Sequence, residues 1–371
     1  MSAPGPVATD LGSISLPSRT AAPGEGITTD ELALAARNHA MPAEALRWEV
    51  TPAGLHYVLT HYDIPDADAQ SWAVTVTGAV ERDLLLSLED LATMEQHTVR
   101  VTMECAGNGR AGVDPRPLSQ PWITGAVGTA DWSGVRVKDV LADAGISTNA
   151  VDVVFRGADH GVERGVEQDY ERALSVHHAL DPDLILATTM NGMPLPPQHG
   201  FPLRLVVPGW YGMTSVKWLR EIRLVDEQFT GYQHQAYRLK RNRDDVGTPV
   251  TRIEPRALLA PPGFPDFMSR TRVVEAGHTE IRGRAWSGWG LVTRVEFSPD
   301  DGVTWSDCTL HEDKGVYAWR AFSTAWDAVP GPARLRVRAT DATGRVQPLD
   351  PVTTLGGFTN NADQAVTVVV R

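Results

Sequence analysis

Cysteine is scarce in this sequence: there are two in 371 residues, Cys105 and Cys308. So few thiols, in such different flanks, argue against a disulfide framework. No Cys-x-x-Cys-His run occurs, so no covalent c-type haem is expected within the chain. Basic residues are also in short supply, with 34 Lys and Arg against 46 Asp and Glu, a net charge of −12. A nucleic-acid or anionic-membrane surface needs a basic footprint, so neither partner is expected, although a local basic pocket for a small anion remains compatible. Apolar runs are short, and none approaches the ~18 residues that a membrane-spanning helix requires. Met1 to Gly26, rich in Ala, Pro, Gly, Ser and Thr, has neither an apolar signal core nor a twin-arginine pair. A cytoplasmic location is the default expectation, with the periplasm as the alternative if a leader has been trimmed. No internal repeat is visible.

What is present reads as a globular chain of two or three domains, with 42% hydrophobic and 22% charged residues. Thirty-three glycines and 26 prolines imply many turns, which favours an α+β or β-rich architecture over a helical bundle. Eleven tryptophans, widely spread, suggest large packing sites with a polar edge.

Residues 1–27 read as a mobile tail, too poor in apolar surface to offset the entropy of ordering. Thr28-Thr29-Asp30-Glu31 then caps a short helix carrying Leu32, Leu34 and Ala35. From Trp48 to Glu227 short strands alternate with turns and a few helices. Trp72 to Gly78 alternates as a strand, and Val99, Val101 and Met103 share one face of another that runs into Cys105. Val137, Val140 and Leu141 fall at helical spacing before Gly145, and Leu203 to Val207 reads as a strand. Tyr237 to Val250 is polar and reads as a connector. Beyond it the texture is all-β. Strands are expected at Thr279–Arg284, Thr293–Ser298, Tyr317–Phe322 and Arg334–Thr340, with an Asp301-Gly302 hairpin signal and the regularity of an immunoglobulin-like sandwich.

Three segments carry chemistry. In the first, Cys105 sits where a strand gives way to Ala106-Gly107-Asn108-Gly109-Arg110; the glycines allow close approach of main chain to a ligand. A soft thiolate beside an arginine suits a soft or highly charged metal, although a buried turn cysteine is the plain alternative. In the second, Asn191-Gly192-Met193-Pro194 leads through Pro196-Pro197-Gln198-His199-Gly200-Phe201-Pro202 to Arg204, a rigid loop offering a histidine donor and an anion-binding arginine. The third, Pro208-Gly209-Trp210-Tyr211-Gly212 to Ser215-Val216-Lys217-Trp218, has the makings of a phosphate nest at Gly212, Ser215 and Lys217. Taken singly, each reads first as a structural turn.

In this order and at these separations, the three segments resemble the molybdopterin-binding domain of the sulfite oxidase family. The likeness is to a bacterial form without a haem domain. Its pattern is Cys-Ala-Gly-Asn and an arginine, Asn-Gly with prolines, His-Gly-Phe-Pro and an arginine, then Pro-Gly through Val-Lys-Trp. Gly283-Arg284-Ala285-Trp286-Ser287-Gly288, with Asp301-Gly302-Val303-Thr304-Trp305, resembles the family's immunoglobulin-like dimerisation domain. The resemblance implies an α+β fold in three parts: residues 1–45 as tail and short helix, 46–245 as the cofactor-binding catalytic domain, and 246–371 as the sandwich. It implies a molybdenum–molybdopterin cofactor with Cys105 as the metal's protein ligand. His61, Asp159, His199, Arg204, Gly212, Ser215 and Lys217 match positions that hold the pterin and its phosphate. Arg110 matches an arginine that faces the substrate oxyanion, Trp122 an aromatic wall, and Tyr237, on a looser match, the pocket tyrosine. The implied chemistry is oxygen-atom transfer between Mo(VI) and Mo(IV) on sulfite or a related small substrate. Electrons would pass to a separate acceptor such as a cytochrome or oxygen, and a homodimer is implied.

Two departures bear on substrate. The family's first loop carries Arg-Asn-His where this chain has Leu59-Thr60-His61; an Arg37-Asn38-His39 occurs too far upstream, and Arg37 reads as a surface residue of the short helix. The loop Asn360 to Val366 lacks the arginine expected there. With each charge-assisted contact worth ~1.5–3 kcal/mol, sulfite dianion is expected to bind poorly. A reductase of sulfoxides or other S/N-oxides on the same fold therefore stands beside the oxidase reading. A non-catalytic module with a structural Cys105 is the alternative from another class. Cys308 is expected to be a strand residue with no role.

Overall fold

A computed structural model describes residues 10–11 and 19–371. The elements of its first part are α1 (Thr29–Arg37), β1 (Ala73–Gly78), β2 (Leu84–Ser87), α2 (Leu88–Thr93), β3 (Gln96–Glu104), β4 (Val127–Arg136), α3 (Val137–Ala144), β5 (Asp152–Glu163), β6 (Val166–Ser175), β7 (Ile185–Met190), β8 (Met193–Pro194), β9 (Arg204–Val206) and β10 (Leu219–Val225). They build two sheets. One has the order β2-β1-β10-β5-β6, with β1 and β10 parallel and its other neighbours antiparallel. The other has the order β3-β4-β7-β8, with β9 also on β7.

Local sequence explains the helices. The Thr28 hydroxyl accepts from the Glu31 N–H while the Glu31 carboxylate accepts from the Thr28 N–H, a reciprocal cap that starts α1. On α3, Val137, Val140, Leu141 and Ala144 line one buried face, and Gly145 ends the helix at φ +71°. That face joins Trp72, Val74, Val76, Phe155 and Ile222 in the core beneath the first sheet.

The C-terminal part is a sandwich of a four-stranded and a six-stranded sheet. Leu335, Val337 and Ala339 alternate with outward residues along Gly331–Asp341 and meet Ile281, Phe322 and Val368 in its interior. The Asp301-Gly302 turn has both residues at positive φ (62° and 91°), the backbone its sequence predicts.

Two expectations need correction. Residues 19–27 are not a free tail: Ala21 is buried, its N–H donates to Arg116 O (2.7 Å), and Leu118 N–H donates to Arg19 O (3.0 Å). The remainder of the expected tail lies largely outside the described residues. The third sandwich strand runs over Arg320–Ala328 rather than Tyr317–Phe322. Tyr317 and Trp319 are drawn instead toward the first part, where Thr102 N–H donates to Tyr317 O (2.8 Å) and the Trp319 indole donates to Glu49 O (2.7 Å). Among the described residues no helix is long and apolar enough to cross a membrane. Both cysteines are free thiols. Cys308 is half-buried beside Asp307, and burial pushes its thiol up to about 12.

Candidate active site

Strand β3 ends at Glu104, so Cys105 is the first residue of the turn beyond the sheet edge. Its N–H donates to Ala126 O (2.9 Å) and its carbonyl accepts from Asn108 N–H (2.9 Å), which folds residues 105–110 back on themselves. Gly109 takes φ +91°, and Arg110 then enters a short 3-10 turn. The Cys105 side chain lies at the meeting of two cavities.

The inner cavity, of about 630 Å³, is lined by all eight residues expected to hold a cofactor: His61, Cys105, Asp159, His199, Arg204, Gly212, Ser215 and Lys217. They converge from far apart in sequence. The loop after Val58 brings His61, the register break midway along β5 brings Asp159, the Pro-rich turn brings His199, β9 brings Arg204, and the turn before β10 brings Ser215 and Lys217. Arg204 is buried and donates to His199 O (2.9 Å) and Ser215 O (3.1 Å). Lys217 donates to Leu59 O (2.9 Å) and Gln198 O (3.1 Å). Neither cation has a carboxylate at ion-pair distance among the described residues. Burial pulls Arg204 down to about 10 and lowers Lys217 further from its usual range; it raises Asp159. His56, His61 and His199 are held neutral chiefly by burial and then by neighbouring positive charge, at about 4, 4 and 2.

Sequence reasoning missed His56, Tyr57, Met103, Tyr170 and Gln198 as lining residues. His56 packs its ring edge-on to His199 at 5.2 Å. His56 and Tyr57 come from the loop before Val58, Met103 from the end of β3, Tyr170 from β6 and Gln198 from the turn at His199; Met103 and Gln198 lie in segments the sequence marks, the others do not.

The outer cavity, of about 2000 Å³, contains the four residues expected at the substrate: Cys105, Arg110, Trp122 and Tyr237. Arg110 is buried; its Nε donates to Gly356 O (3.0 Å) and its Nη1 to Gln120 O (3.0 Å), which leaves Nη2 as the group able to meet a substrate oxygen. The Tyr237 hydroxyl and His61 Nε2 share a hydrogen bond of 2.9 Å. Burial pushes the Cys105 thiol up, while the Arg110 guanidinium, the Gly107 N–H and the Trp122 indole pull it back. That indole N–H is buried and finds no oxygen or nitrogen acceptor. Leu59 and His61 line both cavities, so an apolar side chain stands where an arginine was looked for.

The upstream triplet has a different part. Arg37 is half-exposed and donates to Tyr62 O (2.6 Å). Buried Asn38 accepts from Thr60 N–H (2.8 Å), and His39 bridges Val58, so this triplet braces the first loop from behind. In the C-terminal loop, Asn360 donates to Gly109 O (2.8 Å) and no basic side chain replaces the missing arginine. Arg164, at the tip of the β5–β6 hairpin with φ +52°, and Arg19 add positive charge at the rim, opposed there by Asp30, Glu31 and Glu163.

The inner cavity fits the implied cofactor on chemical grounds. Buried cations with backbone carbonyls but no carboxylate as partners, an unpartnered Asp159 Oδ1 and an unpartnered His56 Nε2 call for a ligand that is anionic and also offers polar edges. A pterin phosphate with its ring meets both needs. The soft sulfur of Cys105 lies at the end open to the funnel.

Such a site, in such a fold, defines a molybdopterin-dependent oxidoreductase. Residues 61–233 match the oxidoreductase molybdopterin binding domain model and residues 265–370 the Mo-co oxidoreductase dimerisation domain model. The chain belongs to the sulfite oxidase family. It is 33% identical over 341 residues to the mitochondrial sulfite oxidase of Mus musculus, covering 86% of this chain and 62% of that one. Identity is also 33% over 341 residues with the NAD(P)H nitrate reductase of Hordeum vulgare, covering 84% and 38%. The crystal structure of the sulfane dehydrogenase SoxCD from Paracoccus pantotrophus superposes with a TM-score of 0.77, at 24% identity over 99% of this chain and 96% of that chain, a likeness of fold. The chain thus spans about 62% of the length of the sulfite oxidases it matches.

Proposed function

We propose that this chain transfers an oxygen atom to the sulfur of a small substrate, at molybdenum bound by Cys105, with electrons leaving to a separate acceptor. The observation that carries the reading is the position of Cys105 at the meeting of a cationic cofactor cavity and a funnel open to substrate. Bound there, the cofactor supplies two-electron oxygen-atom chemistry. Arg204, Lys217, Ser215 and His199 would hold its phosphate and pterin, and Asp159 would accept from a ring N–H. Arg110 Nη2 would orient a substrate oxygen, with Trp122 as the wall behind it. Tyr237 would keep its hydroxyl directed at His61 and so fix one side of the funnel. A homodimer through the sandwich, and the division into 1–45, 46–245 and 246–371, belong to the same proposal.

One deeply buried arginine, with Leu59 beside it, suits a substrate of lower charge than sulfite dianion. A sulfur substrate accords with the mitochondrial sulfite oxidase among the relatives of this chain. The same shortage of positive charge favours a second reading, reduction of a neutral S-oxide.

Metal analysis of protein expressed with molybdenum-cofactor supply tests the first step: near-stoichiometric molybdenum is expected, and Cys105→Ser should abolish its retention. Assays with sulfite plus ferricyanide, set against reduced dye plus methionine sulfoxide, separate the two directions. Brisk sulfite turnover at micromolar substrate would overturn the low-charge reading.

A further inference from the structure

Directly behind Cys105 lies a buried ion pair that neither cavity uses. Glu104 and Arg256 are each about 1% exposed, and Arg256 Nε stands 3.0 Å from Glu104 Oε1. The other carboxylate oxygen accepts from the Trp286 indole N–H at 2.7 Å, and Asn108 Nδ2 donates to Oε1 at 2.9 Å. Arg256 Nη2 also donates to Asn360 O, whose side chain donates in turn to Gly109 O (2.8 Å), and Thr359 N–H donates to Ala106 O (2.8 Å). Residues 104–109 are therefore gripped by four residues from beyond position 250: Arg256, Trp286, Thr359 and Asn360.

The geometry of the pair is not that of a bond optimised for stability. Arg256 Nη1 is buried with no acceptor, and the angle at Nε is too poor for a hydrogen bond despite the short distance. A buried pair of this kind contributes little net stability, because desolvation of both charges offsets their attraction. It does fix where a negative charge sits, on the residue next to Cys105 in the chain, and it neutralises that charge.

We propose that Glu104 and Arg256 are positioning residues for the metal site: the C-terminal sandwich, through Arg256, sets the orientation of the Cys105 turn and balances the charge behind its sulfur. This rests on Cys105 being the metal ligand and assigns the sandwich a part beyond any contact between subunits. Arg256→Met leaves an uncompensated carboxylate beside the ligand, which disfavours added electrons and lowers the molybdenum potential. Glu104→Gln leaves an uncompensated cation and raises it. The double variant restores neutrality.

The experiment is a redox titration of the purified holoenzyme followed by the molybdenum electron paramagnetic resonance signal, with metal content measured on each sample. Opposite shifts in the two single variants, and a double variant returning toward wild type, are expected. Trp286→Phe, which removes one donor and little volume, should alter the line shape without loss of metal and serves if a charge variant fails to fold. Unchanged potentials and line shapes, with only a lowered melting temperature, would overturn the proposal. If wild-type protein itself carries no molybdenum, the failure lies with the ligand assignment and not with the clamp.

Discussion

At the scale of single residues, the site consists of buried charges whose solvation must be replaced by a ligand. Among the described residues Arg110 is the one deeply buried cation that lines the funnel beside Cys105, so its loss bears on substrate more than on cofactor. Arg110→Gln is expected to lower kcat/KM for an oxygen-bearing substrate by roughly 10–150-fold, the equivalent of ~1.5–3 kcal/mol for one charge-assisted contact. Steady-state kinetics with metal content held equal checks this. The three histidines of the inner cavity make a pH prediction. Their folded values of about 4, 4 and 2 lie below the ordinary 6.5, so the unfolded chain binds more protons once pH drops below that value. Stability of the cofactor-free protein should be fully present above pH 6.5 and fall as pH is lowered from 6.5 toward 4. Thermal melts across that range test the sign, and a melting temperature rising on acidification would contradict it.

At the scale of elements, turns carry the site, and their glycines differ in what they tolerate. A Cβ at Gly109 would meet Asn360 O at 2.5 Å on a backbone already at φ +91°, whereas Gly192, at φ +76°, has open space around it. Gly109→Ala should therefore cost more than the strain of a positive φ alone, which is about 1–2 kcal/mol. Gly192→Ala should cost about that strain and no more. Denaturant midpoints of the two variants make the comparison. Much of this was legible beforehand, because turn chemistry is local: the Cys105 turn, the His199 loop, the Gly145 stop and the Asp301-Gly302 hairpin each announce themselves within a few residues. What was not legible depends on long-range pairing. His56 reaches the inner cavity, and Asn38 the first loop, only because strands distant in sequence meet. The alternation around Tyr317 resembles a strand of the sandwich, whereas its backbone partner is Thr102. The order of residues 19–21 has a related cause: their backbone partners are residues 116–118, far along the chain.

At the scale of the whole molecule, the two parts share a core rather than merely adjoin. Leu46, Tyr211 and Tyr237 pack in one cluster with Leu258, Trp286 and Trp319. Unfolding is accordingly expected as a single calorimetric transition for the holoenzyme, with two resolved transitions as the outcome that would refute it. Light scattering at micromolar concentration should give a dimer mass. One wall of the outer funnel is built by Arg19, Thr28, Asp30, Glu31, Leu34 and Asn38, and Phe358 closes another side. None of the first six falls within the stretches 61–233 and 265–370 by which the family is recognised. Part of the lining that a substrate would meet thus lies outside the stretches by which descent is read. Two proteins with the same pair of family matches can hold the same cofactor and admit different molecules to it, and an inventory built on those matches alone will group them as one enzyme.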